Sequence, residues 1–288
     1  MMETPEEFRA SSFPRPKMLG LKLTPAEVAI LETFVVPRYL EKFGEAALNM
    51  LLFGGPARIA HFGCRSGYLD RELIESAEGS SLVGVDASLA ALELARNKAV
   101  GLKDASLEYH VGSGYPTELE DEAFSHALSL HPIGAERDRL DLFREMERVL
   151  YAGGQALVSL PLRGSFQEIG DLFREYALKS DQAEFGRATE GAMLSRPTLE
   201  SLSEELEAVG FDDIDVDVRQ VSLSFEHARS VTDDPVMRLL VLPEFQAFMG
   251  IPDFDGALQY LTEAIAKYWS HREFDLGIVI GTASARKV

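Results

Sequence analysis

The sequence predicts an α/β protein built on a largely parallel sheet with helices on both faces. Three observations predict it. From residue 57 onward, short apolar stretches of strand length alternate with stretches of helical spacing. The first strand runs into a glycine-containing loop, Gly63-Cys64-Arg65-Ser66-Gly67, and the second ends on an acid, Asp86. The chain of 288 residues is long enough to bury a full core on folding.

Taken in order, residues 1–23 are expected to be irregular, because Pro5, Pro14 and Pro16 oppose helix formation. Thr24-Pro25-Ala26-Glu27 then reads as a helix start, with an N-cap, a proline at the first position and a glutamate at the third. Apolar residues recur at Val28, Leu31 and Val35 and, beyond Pro37, at Leu40, Phe43, Ala47, Leu48 and Leu51, predicting a pair of amphipathic helices. Strands are expected over 57–62, 81–86, 107–111, 123–130 and 155–160, separated by helices over 68–77, 88–100 and 137–150. Tyr151-Ala152-Gly153-Gly154 reads as a turn before the fifth strand. The second half predicts helices over 166–178 and 198–209, the latter stopped by Gly210, and a strand over 214–225. A helical insertion with Leu258, Leu261, Ile265, Tyr268 and Trp269 on one face follows, then a last strand over 275–281. The expected organisation is a tail with helices over 1–52, a core over 53–225, an insertion over 226–273, and the final core strand with its tail over 274–288.

Charge narrows the partners. Twenty-eight basic residues against forty-seven acidic ones leave a formal charge of -19, which repels a polyphosphate backbone and an anionic membrane. No apolar run approaches the ~20 residues needed to span a bilayer, and Met1 to Lys17 lacks the apolar region of a signal peptide. The one cysteine, Cys64, fits a reducing compartment, so a cytoplasmic location is expected, without nucleic-acid or membrane partners. The six histidines show no HExxH or other metal-ligand spacing, so no metal is expected. The acidic residues of 118–122, and Asp212, Asp213, Asp215 and Asp217, read as solvated faces.

Three segments carry a family resemblance. Ala57-Arg58-Ile59-Ala60-His61-Phe62-Gly63-Cys64-Arg65-Ser66-Gly67 resembles the first motif of class I S-adenosylmethionine-dependent methyltransferases, a strand ending in D-x-G-x-G-x-G. Leu82-Val83-Gly84-Val85-Asp86 is similar to the family's second strand, whose terminal acid takes the ribose hydroxyls. Arg148-Val149-Leu150-Tyr151-Ala152-Gly153-Gly154 is similar to the turn before its fifth strand, and Leu160 to Phe166 adds a likeness to the ubiquinone-biosynthesis and malonyl-carrier-protein branch. The resemblance spans roughly residues 35–225. It implies a Rossmann-like seven-stranded methyltransferase sheet, S-adenosylmethionine as cofactor, and Gly63, Cys64, Gly67, Asp86, Ala87 and Ser113 around it. Glycines after a buried strand let a ligand approach the backbone, and an acid ending the next strand is placed to grip a ribose diol, which supports the same reading independently.

The chain departs from the pattern at four positions: His61 replaces an acid, Arg65 a glycine, Ser113 an acid, and Ser125 the acid of a Phe-Asp pair. A guanidinium at 65 suits a cofactor carboxylate, whereas its bulk and charge beside a sulfonium favour a shifted or lost pose. Asp86 reads either as a ribose ligand or as a turn acid and helix cap. Gly63 and Gly67 serve the turn in either case, and Cys64 reads as a small buried residue. His131 ends the fourth strand, where the resemblance places the substrate pocket, and is either a general base or a loop histidine without a role. His61 is expected to mark the loss of the usual acid, while His110 and His126 read as packing or surface residues.

The expected function is methyl transfer to a small-molecule or carrier-bound acceptor. Proximity and orientation carry such a reaction, so no catalytic residue beyond His131 is singled out. The alternative is an inactive relative serving as a protein-binding or regulatory module, with a homodimer or protein partner meeting the C-terminal helices. A nicotinamide-dependent oxidoreductase fits the fold class, but G-x-G-x-x-G is missing after the first strand.

Overall fold

A computed structural model describes residues 21–102, 105–225, 231–270 and 272–288. Pro5, Pro14 and Pro16 lie outside these residues, as does part of the insertion predicted over 226–273. The seven strands are β1 (Arg58–Phe62), β2 (Ser81–Asp86), β3 (Ser106–Val111), β4 (Phe124–Leu130), β5 (Leu150–Pro161), β6 (Phe211–Phe225) and β7 (Phe274–Lys287). They form one sheet in the order β3-β2-β1-β4-β5-β7-β6. The first five strands are parallel, whereas β7 runs antiparallel between β5 and β6.

Successive side chains of the inner strands point to opposite faces and feed two cores. Ile59, Leu82, Leu128 and Leu157 join the larger cluster, and their neighbours Ala60, Val83, Ala127 and Val158 join the smaller one. The larger core is covered by the π-helical stretch Leu31–Leu40 that continues α1 (Pro25–Ile30), and by α2 (Glu41–Met50), α3 (Asp70–Glu75), α4 (Leu89–Ala99) and α6 (Gln167–Lys179). Also on it are α7 (Ala183–Leu194), α9 (Leu242–Met249) and α10 (Asp255–Tyr268). The smaller core is covered by α5 (Glu136–Val149) and α8 (Leu199–Glu207).

The structure departs from the sequence expectations at three places. The predicted pair of N-terminal helices is one continuous helical run, because a π-helical stretch over Leu31–Leu40 accommodates the ring of Pro37 instead of breaking there. Tyr151 to Gly154 is not a turn ahead of β5 but a bulge within it: Leu150 sits opposite Phe124 and Gln155 opposite His126, with Gly153 at φ 81°. Finally, α7 was not expected, since Gly186 and Gly191 weaken its pattern and Gln182 makes no side-chain cap. No helix among the described residues is long and apolar enough to cross a membrane.

Candidate functional site

The strand order reverses between β1 and β4, and the carboxyl edge beside that switch point is where open α/β sheets bind ligands. The Gly63–Gly67 turn lies there. Gly63, Arg65 and Gly67 all adopt left-handed backbone, at φ 67°, 51° and 62°. Gly67 is needed for space as well, because a Cβ there would stand 2.5 Å from the Asp70 carboxylate. The Gly63 N–H donates to the Val85 carbonyl at 2.8 Å, fastening the turn to β2.

Arg65 occupies a glycine-like conformation at a cost of about 1–2 kcal/mol. Its guanidinium is held in return. Nη1 donates to the carbonyls of Leu130 at 2.8 Å and Gly63 at 3.3 Å, and Nη2 donates to that of His131 at 2.9 Å. The side chain therefore lies across the crevice from β1 to the end of β4.

Asp86 is 1% exposed. Its carboxylate accepts the backbone N–H of Arg65 at 3.0 Å and of Ser88 at 2.8 Å. Burial pushes its pKa up, while those N–H groups and the Arg65 charge pull the other way. Both sequence readings of Asp86 as an anchor of the turn and a potential ribose acceptor remain compatible with this placement, but the α4 cap is Ser88, whose Oγ accepts the Ala91 N–H at 3.3 Å. The same Oγ both accepts the Leu23 N–H and donates to the Leu23 carbonyl, each at 3.2 Å. Leu21 and Leu23 thus lie over Asp86, and with Ile133, Leu239 and Leu240 they leave a cavity of about 10 Å³. That is room for one water at most, against roughly 300–1,000 Å³ for a small-molecule pocket.

His61 stands where the usual acid is lost and also makes a new contact, with Asp70. Its Nδ1 is 2.8 Å from Asp70 Oδ1, and Tyr109 donates its hydroxyl to Asp70 Oδ2 at 2.8 Å. His61 is fully buried, Asp70 is 2% exposed, and the His61 Nε2 has no hydrogen-bond partner. Cys64 is also fully buried, and burial pushes its thiol well above the usual range, as expected of an unreactive packing residue.

His131 lies just beyond the end of β4. His131 is buried, its Nε2 lies 2.8 Å from the Tyr39 hydroxyl, and Phe43 packs edge-on at 5.0 Å between centroids. Its Nδ1 has no hydrogen-bond partner among the described residues. Burial, followed by the Arg65 charge, holds its pKa well below the ordinary value, so the ring is neutral at pH 7. Arg196, also buried, donates from Nη2 to Glu244 at 2.6 Å and lies 4.7 Å and 5.0 Å over the rings of Phe166 and Phe245. Among the described residues its Nε and Nη1 have no hydrogen-bond partner. Nothing in the tripeptide Ser195-Arg196-Pro197 signals this role, because the pairing depends on α9, 48 residues away.

Ala87 and Ser113 stay at the carboxyl edge of the sheet, Ala87 directly after Asp86 and Ser113 beside Gly112, whose N–H donates to the Asp86 carbonyl at 2.9 Å, whereas the other candidates lie elsewhere. Ala87 is half-buried, and Ser113 is exposed in the loop after β3. Ser125 and His126 sit at the opposite, amino-terminal end of β4, where Ser125 Oγ bonds Arg58 and His126 Nδ1. His110 is exposed beside Glu108. Among the described residues no group of three or more His, Cys, Asp or Glu could hold a metal.

Residues 60–158 match the family model described as methyltransferase domain. That match spans about a third of the chain, and the seven-stranded sheet has the class I, S-adenosylmethionine-dependent methyltransferase fold. Phosphoethanolamine N-methyltransferase 2 of Haemonchus contortus, solved with phosphomonomethylethanolamine and S-adenosylhomocysteine, superposes with a TM-score of 0.55 at 18% identity. That match covers 92% of this chain and only 57% of the nematode enzyme, so the chain spans little more than half of that relative's length. The same enzyme has also been solved with S-adenosyl-L-methionine. A Bacillus halodurans protein described as a putative methyltransferase gives 0.53 at 16% identity, covering 86% of this chain and 98% of its own. The [4+2]-cyclase SpnF gives 0.50 at 17%, covering 86% and 81%. No protein of curated function matches the sequence.

Proposed function

We propose that the crevice takes S-adenosylmethionine and that the protein transfers its methyl group to a small-molecule or carrier-bound acceptor. The observation that carries the reading is the Gly63–Gly67 turn and Asp86 together at the ends of β1 and β2, beside the switch point. The residues fit the nucleoside half of that cofactor: Asp86 would accept from a ribose diol, and Gly63 and Gly67 allow close approach of the backbone. They fit the remaining half once Arg65 and Leu21–Leu23 are displaced. When bound, the cofactor supplies an electrophilic methyl group on a sulfonium.

The chain's own part is to orient the acceptor and take its proton. In the tautomer that places the ring proton on Nε2, His131 donates to the Tyr39 oxygen, and the Nδ1 lone pair is free. A neutral imidazole there can receive the proton that an attacking hydroxyl or amine loses. Asp86 is the ligand residue to test. Calorimetric titration with S-adenosylhomocysteine should show binding to the wild type that Asp86→Ala abolishes; equal binding by both proteins would refute the role of Asp86.

A specific observation also favours a second reading, an inactive module that keeps the fold. Arg65 and two leucines fill the crevice, and SpnF shows that this fold also occurs in a protein described as a cyclase. No binding of either cofactor form to the wild type or to variants that empty the crevice would favour that reading.

A further inference from the structure

We infer that the protein closes its own cofactor crevice with two intramolecular occupants, the Arg65 side chain and the Leu21–Leu23 segment, and that ligand entry requires both to leave. The inference rests on the proposed function for the identity of the ligand, but the closure itself is a property of the chain.

Each occupant takes groups that a ligand in the crevice would need. Arg65 uses the carbonyls of Gly63, Leu130 and His131, which converge at the ends of β1 and β4. Its own backbone N–H goes to Asp86 Oδ2. Leu23 pairs with Ser88 through both backbone groups, sealing the other side of Asp86 under an apolar cover. The result is a carboxylate 1% exposed facing a cavity of about 10 Å³.

The two occupants differ in strength, and this makes the closure reversible. Leu21–Leu23 lies outside the helices and the sheet, fastened by two hydrogen bonds of 3.2 Å between Leu23 and Ser88 and by the packing of Leu21 and Leu23 on the core. It joins directly to the capping box of α1, where Thr24 and Glu27 bond reciprocally, so Thr24 is a fixed pivot. The helical run beyond the pivot is itself clamped to the site: Glu32 accepts from Ser66 Oγ at 2.5 Å and pairs with Lys98 at 2.6 Å. Among the described residues, movement is thereby confined to Leu21–Leu23. Among the described residues the Arg65 guanidinium is held by neutral carbonyls and by no carboxylate, so it can rotate away without breaking an ion pair there.

A ligand that binds only the open form is weakened by the fraction of molecules that are open. The test compares the wild type with Leu23→Asp, which places a charge in the apolar cover, with Leu23→Gly, and with Arg65→Gly. Backbone hydrogen exchange without ligand reads the closure, and titration with S-adenosylhomocysteine reads its effect. Closure predicts that amides of residues 63–67 and 86–88 exchange roughly tenfold faster in the Leu23 variants, and that these variants and Arg65→Gly bind roughly tenfold more tightly. Unchanged exchange in both Leu23 variants would overturn the closure. Equal affinity in all four proteins would also overturn it, leaving the methyltransferase reading intact. Faster exchange with no binding by any protein would instead uphold the closure and defeat the proposed function.

Discussion

His61, Asp70 and Tyr109 come from β1, the start of α3 and β3, and their side chains meet beneath the Gly63–Gly67 turn. Asp70 satisfies both neighbours at once, so it is the member whose loss leaves two buried polar groups unpaired. Asp70→Ala should lower the unfolding free energy by about 3 kcal/mol, read from the shift of the urea midpoint. A loss below about 1 kcal/mol would mean that water replaces the carboxylate. His131 makes a pH prediction. Its native pKa lies below that of the unfolded chain, so on acidification the unfolded protein takes up the proton first. The resulting stability is fully present above about pH 6.5 and is lost as pH falls below it. His131→Gln should therefore flatten the fall of the melting temperature between about pH 7 and pH 5; an unchanged slope would assign that fall to other groups.

At the scale of the element, α5 and α8 are joined by a buried pair. Arg139 reaches Glu205 through Nη2 at 2.6 Å and Nε at 2.8 Å, and its Nη1 donates to the carbonyls of Gly134 and Ser195. Glu205→Ala should cost about 3–5 kcal/mol, because it strands a buried cation, whereas the double change Arg139→Met and Glu205→Leu should recover most of that loss. Chemical denaturation of the three proteins checks both expectations. This pair also shows where the sequence stops being legible. The strands and the helices between them follow from local period and were readable, as were the turn glycines and the acid closing β2. The Arg139–Glu205 and Arg196–Glu244 pairs join residues 66 and 48 positions apart, and no local pattern encodes such meetings. The closed crevice was invisible for the same reason. Arg65 could be read as a misfit for the usual pattern, but two of the carbonyls that hold it, those of Leu130 and His131, lie at and just past the end of β4, and its cover comes from Leu21, Leu23, Leu239 and Leu240.

For the whole molecule, the formal charge of -19 sets the electrostatic balance. Most of the described ion pairs are exposed on at least one side and contribute little each, so diffuse repulsion among the acids should dominate the response to salt. Raising sodium chloride to about 0.5 M should raise the melting temperature by screening that repulsion. A fall over the same range would show that the local pairs outweigh it.

The position of β7 has a further consequence, which concerns time. β6 touches the sheet only through β7, and β7 also covers the outer edge of β5. During synthesis about 50 residues separate the end of β6 from the start of β7, an interval of a few seconds at about 5–20 residues per second. Throughout it, a fifteen-residue strand and the free edge of β5 have no mate. Bare strand edges recruit other chains. The nascent protein is thus most exposed to aggregation late in its synthesis, after most of its core residues have already emerged.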